Sequence, residues 1–246
     1  MKTELLGALI DPLKTDQFVE RVSRNIEGKD TCFIITLNPE LLYRAQSEKA
    51  LLEMINRADL VTADGVGIIW ACRTAGKPLP ERVTGIDLMM RLLEKAAEKG
   101  WQVFFLGSAL GVAEAAAQRA VKLFPGLRVA GTHHGYFSEE DNHEVVSIIK
   151  SASPDLLFVA LGSPRQEKWI EQNLPLLGSA VAVGVGGSLD VLSGNVQRVP
   201  EWLRRLNLEW LGRLLKEPRR WRRMLVLPRF MFLTLVKYKI GKTFVR

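Results

Sequence analysis

The stretch TCFIITLNPE, residues 31–40, decides the fold class of this chain, because an apolar run ends there in a polar turn. Residues Thr31–Leu37 are almost continuously apolar and rich in β-branched side chains, which is typical of a strand that is covered on both faces. The turn supplies Thr36, Asn38 and Glu40, and a helical pattern follows it. A strand, a turn and a helix in this order form the repeating unit of a parallel α/β sheet.

The same alternation of strands and helices continues to about residue 195. The predicted strands are Thr31–Leu37, Leu60–Ala63, Gln102–Leu106, Leu127–Ala130, Leu156–Leu161 and Ala180–Val185. The predicted helices are Thr15–Ile26, Pro39–Asn56, Gly67–Ala75, Ile86–Lys99, Gly111–Phe124, Ser138–Ser151 and Pro164–Gln172. We therefore expect an α/β domain over residues 1–195, built on a doubly wound sheet with mostly parallel strands.

The last 51 residues, 196–246, have a different composition from the rest of the chain. From Arg198 to Arg246 there are 14 Lys and Arg against three Asp and Glu, a net charge of +11, whereas residues 1–197 carry a net charge of −4. Three of the six Trp also lie in this basic segment. Basic helices are predicted at Pro200–Leu206, Leu208–Lys216 and Arg219–Val236. We expect residues 196–246 to form a helical appendage to the sheet.

The composition and the hydropathy pattern exclude several classes of protein. With 47% apolar and 25% charged residues, the chain is globular rather than disordered. The N-terminal segment has no apolar run followed by a small-residue cleavage site, so we expect no secretory signal. Cys32 and Cys72 have no CxxC partner, which indicates reduced thiols in a cytoplasmic protein. The longest apolar run, Met224–Val236, has 13 residues, and a membrane crossing needs about 20.

Glycines and small polar residues follow five of the predicted strands, and the carboxyl ends of parallel strands meet at one edge of a sheet. The segments are TLNPE, TADGVG, FLGSALG, ALGSPRQEKW and GVGGSLDVLSG. Together they predict a site for a polar, phosphorylated ligand. Gly107 and Gly186 would bring backbone N–H groups close to phosphate, although FLGSALG is equally typical of a simple strand-to-helix turn. Neither loop has the G-x-G-x-x-G pattern of a dinucleotide site.

Three carboxylates fall at the same edge of the predicted sheet: Asp64, Asp87 and Asp190. Asp64 directly follows a strand, a position from which it could accept a proton from an incoming hydroxyl group. A helix N-cap is the alternative interpretation for Asp64, and Asp190 has the same two interpretations. Asp87 is more typical of a cap for the helix that follows it.

Gln166 and Glu167 open a predicted helix after another of these turns. Gln166 could form hydrogen bonds with a sugar or a base, whereas Glu167 would only complement the helix dipole. The three histidines have no metal-ligand spacing, and the chain contains no D-x-D pair. We therefore expect no metal site.

The basic stretch LEWLGRLLKEPRRWRR, residues 208–223, interleaves Trp and Leu with Arg. Arg213, Arg220 and Arg223 are seven and three residues apart, so one helical face can present them together if Pro218 only kinks the helix. Trp and Arg suit the headgroup layer of an anionic membrane. Nucleic acid is the competing partner, and packing on the body of the protein is a third interpretation. The apolar run MLVLPRFMFLTLV favours lipid, so we expect a membrane and no nucleic acid.

Seven motifs in chain order resemble the WecG/TagA/CpsF glycosyltransferases, glycosyltransferase family 26. They are TLNPE, TADGVG, ERVTGIDL, GYF, ALGSPRQEKWI, GVGGSLDVLSG and RVPEWLRRLNLEWLGRLLKEPRRWRR. The resemblance covers nearly the whole chain and implies a Rossmann-like fold with an inverting transfer that needs no metal or cofactor. It implies a UDP-sugar donor, usually of N-acetylmannosamine or its uronic acid, and the acceptor N-acetylglucosaminyl-diphospho-undecaprenol. In the teichoic acid branch of the family, this transfer commits the lipid-linked disaccharide to the wall teichoic acid linkage unit.

The resemblance also implies roles for single residues. It makes Asp64 the catalytic base. It gives substrate contacts to Thr36, Asn38, Arg82 and Gln166, and contacts with the diphosphates to Arg213, Arg220 and Arg223. The appendage would dock on the inner face of the cell membrane and close over the active site, and docking could be coupled to a homo-oligomer that forms off the membrane. The donor sugar stays open between N-acetylmannosamine, its uronic acid and glucose, and a sugar-nucleotide-binding protein without catalysis is the alternative function.

Overall fold

A computed structural model of the chain describes residues 1–178, 180–199 and 225–240, and a six-stranded sheet lies at its centre. The strands in chain order are β1 (Thr3–Leu5), β2 (Ala8–Ile10), β3 (Cys32–Leu37), β4 (Leu60–Ala63), β5 (Gln102–Gly107), β6 (Arg128–His133), β7 (Leu156–Ala160) and β8 (Val181–Gly184). The sheet has the order β4-β3-β8-β7-β5-β6, and its neighbouring strands are parallel. The predicted parallel α/β sheet is confirmed.

Helices cover both faces of the sheet. They are α1 (Thr15–Glu27), α2 (Pro39–Ala45), α3 (Lys49–Arg57), α4 (Val66–Thr74), α5 (Gly85–Lys99), α6 (Val112–Leu123), α7 (Asn142–Ala152), α8 (Arg165–Asn173) and α9 (Ser188–Ser193). Helices α2, α3, α4, α7 and α8 pack on one face, and α1, α5, α6 and α9 pack on the other. All residues of β3, β4, β7 and β8 are buried, which explains why their sequences are apolar without alternation.

A short N-terminal hairpin was not predicted from the sequence. Strands β1 and β2 pair antiparallel through a two-residue turn, in which Leu6 has φ 51° and Gly7 has φ 86°. Positive φ at both positions gives the tight turn whose twist suits a hairpin. Each strand has only three residues, TEL and ALI, which is too short for an alternation of apolar and polar residues to be detected. The turn also contacts the end of the chain, because the backbone N–H of Leu6 donates to the Tyr238 hydroxyl over 2.8 Å.

Two predicted helices have clearly different bounds in the structure, and one helix was not predicted. The predicted helix Pro39–Asn56 is two helices, α2 and α3, and the break lies at Gln46, whose side-chain amide donates to the carbonyls of Leu6 and Leu42. The predicted helix Ser138–Ser151 begins at Asn142, because Asp141 and Ser138 hydrogen-bond each other in the turn before it. Helix α9 was not predicted at all.

The C-terminal helix spans Val226–Leu235, and π-helical residues Val236–Ile240 continue it. It covers the end of the predicted helix Arg219–Val236, and Pro228 lies in its first turn, where no backbone N–H donor is needed. Phe230 is fully buried against the sheet core. The predicted helices Pro200–Leu206 and Leu208–Lys216 lie outside the described residues, so the division into 1–195 and 196–246 stays a prediction. Over the described ranges, no helix combines the length and apolarity that a membrane span requires.

Candidate active site

At the carboxyl edge of the sheet, several pairs of neighbouring strands lead into helices on opposite faces, and the candidate site residues border the crevices at two of these pairs. Strand β3 leads into α2 on one face, and β8 leads into α9 on the other; this is the first crevice, bordered by Thr36 and Gly184. Strands β7 and β5 lead into α8 and α6, again on opposite faces; this is the second crevice, bordered by Ala160 and Gly107. Ligands of open α/β sheets bind in crevices of this kind.

Thr36 and Asn38 line the first crevice from the end of β3. The Thr36 hydroxyl is buried and donates to the carbonyl of Gly184 over 2.7 Å, which ties β3 to β8. Asn38 is the N-cap of α2, and its Oδ1 accepts the N–H of Leu41 over 2.9 Å. A substrate contact by Asn38 would therefore use its Nδ2 group. Both residues lie where the sequence places them.

Asp64 lies at the end of β4, beside the first crevice. Its backbone N–H donates to the carbonyl of Leu37 over 2.8 Å, so β3 holds it in place. Gly65 is the N-cap of α4, which excludes a capping role for Asp64 in that helix. The Asp64 carboxylate instead accepts the N–H of Gly85, the first residue of α5, over 3.2 Å. The N-terminal end of α5 thus brings positive potential to a partly buried carboxylate.

Gly85 lies within van der Waals reach of the residues that border the first crevice. A Cβ atom on Gly85 would lie 3.4 Å from Oγ1 of Thr36 and 3.5 Å from the carbonyl of Val185. The helix terminus is therefore packed against the ends of both β3 and β8. Asp64 and Thr36 consequently reach the same point at the edge of the sheet.

The prediction that Asp87 caps the helix is wrong, because Asp87 lies within the first turn of α5 and Thr84 precedes that helix as its cap. Thr84 is the N-cap of α5; its Oγ1 accepts the N–H of Asp87 and donates to the Asp87 carboxylate over 2.6 Å. Arg198 forms an ion pair with the same carboxylate over 2.6 Å. Burial opposes the ionisation of Asp87, but the hydrogen bonds from Thr84 and Arg198 outweigh it and hold its pKa below the usual range. Arg82 is partly buried and also favours the ionised form of Asp87.

Gln166 reaches the first crevice from the start of α8. Its Oε1 accepts the N–H of Gly186 over 3.0 Å, and its Nε2 donates to Oε1 of Glu167 over 2.8 Å.

The expectation that Glu167 only complements the helix dipole is wrong, because its side chain is 1% exposed and faces inward. No sequence pattern signals this, since burial of Glu167 depends on how α8 packs on the sheet. Burial raises the pKa of Glu167 to about 7, against smaller opposing effects of Gln166, its own backbone N–H and Ser163.

Replacing Glu167 by Gln is expected to remove a loss of stability that occurs as the pH rises. Folding raises the pKa of Glu167 from 4.5 to about 7, so between these values the folded chain keeps a proton that the unfolded chain releases. The free energy of unfolding therefore falls between about pH 4.5 and pH 7, by roughly 3 kcal/mol. Thermal midpoints of the wild type should fall relative to those of Glu167→Gln across this range. Midpoints that run parallel from about pH 5 to pH 8 would contradict the raised pKa.

The second crevice contains Gly107, Ser108 and Asp190. Gly107 has φ 129° and Ser108 has φ 58°, so two successive residues hold unusual backbone conformations at the end of β5. The N–H of Ser108 donates to the carbonyl of Ala160, and the Ser108 carbonyl accepts the N–H of Gly135, both over 2.9 Å. The Ser108 hydroxyl donates to the Asp190 carboxylate over 3.0 Å. Unusual backbone held by several neighbours is typical of ligand-binding loops.

Three predicted site residues, Arg213, Arg220 and Arg223, lie outside the described residues. In the ranges that the structure does describe, no three His, Cys, Asp or Glu residues are grouped as metal ligands would be. His133 and His134 instead contact each other, and His133 also contacts Phe137 edge-to-face. Independence from metal stays a prediction.

Comparison with known proteins identifies the family to which this chain is similar. The profile of the family described as "Glycosyl transferase WecG/TagA/CpsF family" matches residues 3–243. Three similar proteins are named N-acetylglucosaminyldiphosphoundecaprenol N-acetyl-beta-D-mannosaminyltransferase. The Bacillus spizizenii protein is 43% identical over 81% of this chain and 77% of its own, and the Bacillus subtilis protein is 36% identical over 92% and 88%. The protein of Staphylococcus aureus strain MW2 is 38% identical over 98% and 92%.

Proposed function

The chain belongs to the WecG/TagA/CpsF family of glycosyl transferases, and from this premise we propose that it transfers N-acetylmannosamine from UDP-N-acetylmannosamine to N-acetylglucosaminyl-diphospho-undecaprenol. Relatives 36–43% identical to it carry the name of that transferase. The observation that carries the proposal is the position of Asp64, a carboxylate at the sheet edge between Thr36 and the N-terminus of α5. The product would feed synthesis of the teichoic acid linkage unit or a related cell-surface polymer.

In the proposed reaction Asp64 is the general base. The acceptor hydroxyl oxygen forms a bond to the anomeric carbon of the donor, and its proton passes to the Asp64 carboxylate. The bond between the anomeric carbon and UDP breaks, and UDP leaves with the electron pair. Attack from the face opposite UDP inverts the anomeric centre. Thr36, Asn38, Arg82 and Gln166 would hold the sugars in the first crevice so that these atoms meet.

The second crevice would hold the UDP end of the donor. Negative charge develops on the leaving diphosphate, and backbone N–H groups or cations must stabilise it where no metal does so. Gly107 is the last residue of β5 and Gly186 lies just after β8, so both are backbone positions at the carboxyl edge. Helix α6 begins in the loop that follows Gly107. The Asp190 carboxylate, oriented by Ser108, would accept hydrogen bonds from the nucleoside. Arg213, Arg220 and Arg223 would supply the cations.

The C-terminal helix supports a peripheral place for the protein at the inner face of the membrane. Leu227 approaches Gly67 beside the active site, within 3.7 Å of where a Cβ atom would lie. Phe230 is buried on one side of the helix, whereas Phe232 is 67% and Met231 is 41% exposed on the other. The segment 225–240 contains three basic and no acidic residues. An apolar surface with basic flanks beside the active site suits an acceptor that is anchored in an anionic bilayer.

A groove of about 550 Å³ lies on the exposed side of this helix. It is lined by Tyr43, Pro228, Arg229, Phe232, Leu233 and Val236. Replacing both Met231 and Phe232 by Ser is expected to lower the partition coefficient onto anionic vesicles by at least about tenfold, because about 1.5–3 kcal/mol of apolar transfer energy is lost for a residue such as Phe and about 1.4 kcal/mol corresponds to a factor of ten. Leu123→Ser, which changes an equally exposed residue on α6, serves as the control in the same flotation experiment. Equal loss in both variants would contradict docking by this helix.

A transfer assay with the purified full chain tests the proposed function. The donors are UDP-N-acetylmannosamine, its uronic acid analogue, UDP-glucose and UDP-N-acetylglucosamine, each with N-acetylglucosamine on a short-prenyl diphosphate acceptor. We expect the acceptor mass to increase by one N-acetylhexosamine with the first donor. Transfer from a different donor would correct the sugar and keep the enzyme class. Binding of UDP-sugar without any product would instead favour a sugar-nucleotide-binding protein.

A further inference from the structure

Glu167 is a buried carboxyl group that the proposed reaction does not use. It lies in the first turn of α8, is 1% exposed, and accepts the Nε2–H of Gln166 over 2.8 Å through its Oε1. Within the described part of the chain, its Oε2 is buried without a hydrogen-bond partner, and so is Oγ of Ser163. Burying such a group lowers stability unless something compensates it. An apolar side chain of similar volume would fill this place at a lower cost.

Among the described residues, Gln166 donates the well-defined hydrogen bond to the Glu167 side chain, while the Ser163 hydroxyl and the Glu167 backbone N–H are near enough to favour its ionised form. The two bonds of the Gln166 amide fix its orientation without ambiguity: Oε1 accepts from Gly186, so Nε2 must face Glu167. An amide nitrogen carries two hydrogens, and Glu167 takes one of them. Gln166 is itself 2% exposed, so only a ligand that enters the first crevice could meet the other hydrogen.

Gly184 leaves the room that this arrangement needs. A Cβ atom on Gly184 would lie 2.8 Å from Nε2 of Gln166 and 3.3 Å from its Cδ. The carbonyl of the same Gly184 accepts the Thr36 hydroxyl. The amide is therefore confined between the sheet edge on one side and Glu167 on the other, next to a residue of the active site.

We propose that Glu167 is a positioning residue, whose buried carboxyl group fixes the side-chain amide of Gln166 against Gly186 so that the second Nε2 hydrogen faces the bound sugar. The inference rests on the proposed function, because Gln166 is placed there as a substrate contact. Glu167 itself touches no substrate and acts only through Gln166. An apolar side chain that only filled this space would make no hydrogen bond to Gln166 and would avoid the cost of burying a carboxyl group.

The test compares Glu167→Leu, which removes the acceptor, with Glu167→Gln, which keeps an Oε1 in the same place. We expect Glu167→Leu to lower kcat roughly 10- to 100-fold, the size of effect that misplacing a contact can produce, with a thermal midpoint equal to or above that of the wild type. Glu167→Gln should stay within about threefold of the wild-type kcat. In the Gln166→Ala background, Glu167→Leu should have no further effect, because the group that it positions is absent.

Gly184→Ala is an independent probe of the same arrangement. The added methyl group meets the flexible end of Gln166, so the amide should move while the fold stays intact. We expect its kcat to fall as in Glu167→Leu. Three results would each overturn the proposal. They are a wild-type kcat in Glu167→Leu, an equal loss of kcat in Glu167→Leu and Glu167→Gln, and additive losses of kcat when Glu167→Leu is combined with Gln166→Ala. If Glu167→Leu does not fold, Glu167→Met replaces it, and failure of both to fold would show that Glu167 is structural.

A measurement without turnover separates this proposal from the proposed function. The side-chain amide signal of Gln166 can be assigned in ¹⁵N spectra by its absence from Gln166→Ala. Its hydrogens should exchange slowly in the wild type and in Glu167→Gln, and at least about tenfold faster in Glu167→Leu, because a hydrogen bond to the buried carboxyl protects them. Slow exchange in all three proteins would overturn the positioning role. A wild type with slow exchange but no transfer activity would contradict only the proposed function.

Discussion

Asp64→Asn should leave UDP binding nearly unchanged and lower kcat roughly 10²–10⁴-fold, the contribution of a positioned general base. An amide of the same shape can still accept the N–H of Gly85 through its oxygen, so the end of β4 and the start of α5 should keep their places. The amide cannot accept the proton of the attacking hydroxyl group. The substitution therefore removes the proposed proton acceptor while it keeps the fold.

The measurement is kcat from steady-state transfer, with UDP affinity from calorimetry and the thermal midpoint as a check of folding. Asp59→Asn is a matched control, because Asp59 directly precedes β4 and Asp64 directly follows it. Like Asp64, Asp59 has a carboxylate that accepts a backbone N–H, in this case that of Phe33 over 2.8 Å. Asp59 lies at the amino edge of the sheet, away from both crevices. The control should keep its activity. Comparable kcat for the wild type and Asp64→Asn would remove Asp64 as the base.

The sequence was sufficient to predict the sheet and the residues at its carboxyl edge. Strands β3, β4, β7 and β8 are apolar runs, because burial on both faces leaves no polar position in their centres. Thr36 lies in the last two residues of β3 and Asp64 directly follows β4, so the parallel topology alone brings them to one edge. Their role as substrate contact and base came from the resemblance to the family and is still a proposal.

The residues that orient the site could not be predicted in the same way. Glu167 belongs to a polar helical segment, and only the packing of α8 on β8 shows that its side chain is inside. The contact of Asp64 with Gly85 joins residues 21 positions apart, and no local pattern encodes that distance. The alternative interpretation of Asp64 as a helix N-cap is wrong, because Gly65, with φ 95°, takes the N-cap position of α4. These features depend on tertiary contacts rather than on periodicity.

A second large effect is expected from Gly107→Ala in the second crevice. A Cβ atom on Gly107 would lie 2.4 Å from the carbonyl oxygen of Ala160 and 2.5 Å from its carbonyl carbon. Both atoms belong to the backbone of β7 and cannot turn away as a flexible side chain can. The φ of 129° at Gly107 is also unfavourable for alanine. Strand β5 and strand β7 must therefore separate at their carboxyl ends.

We expect Gly107→Ala to lower the free energy of unfolding by roughly 3 kcal/mol or more, and the thermal midpoint by roughly 6–12 °C for a chain of this size. The shift would also move Ser108 away from Asp190, so UDP affinity should fall in the protein that still folds. Gly111→Ala is the control from the same loop. Its φ of 81° is also positive, but no heavy atom lies within 4 Å of the new Cβ.

Gly111→Ala should therefore lose only the roughly 1–2 kcal/mol of a left-handed alanine and keep its affinity for UDP. The difference between the two variants isolates the contact with β7 from the backbone conformation that both share. Calorimetric titration with UDP and a thermal scan of each variant give both quantities. If Gly107→Ala matched Gly111→Ala in stability and in UDP affinity, the close approach of β5 to β7 would have no part in forming the second crevice.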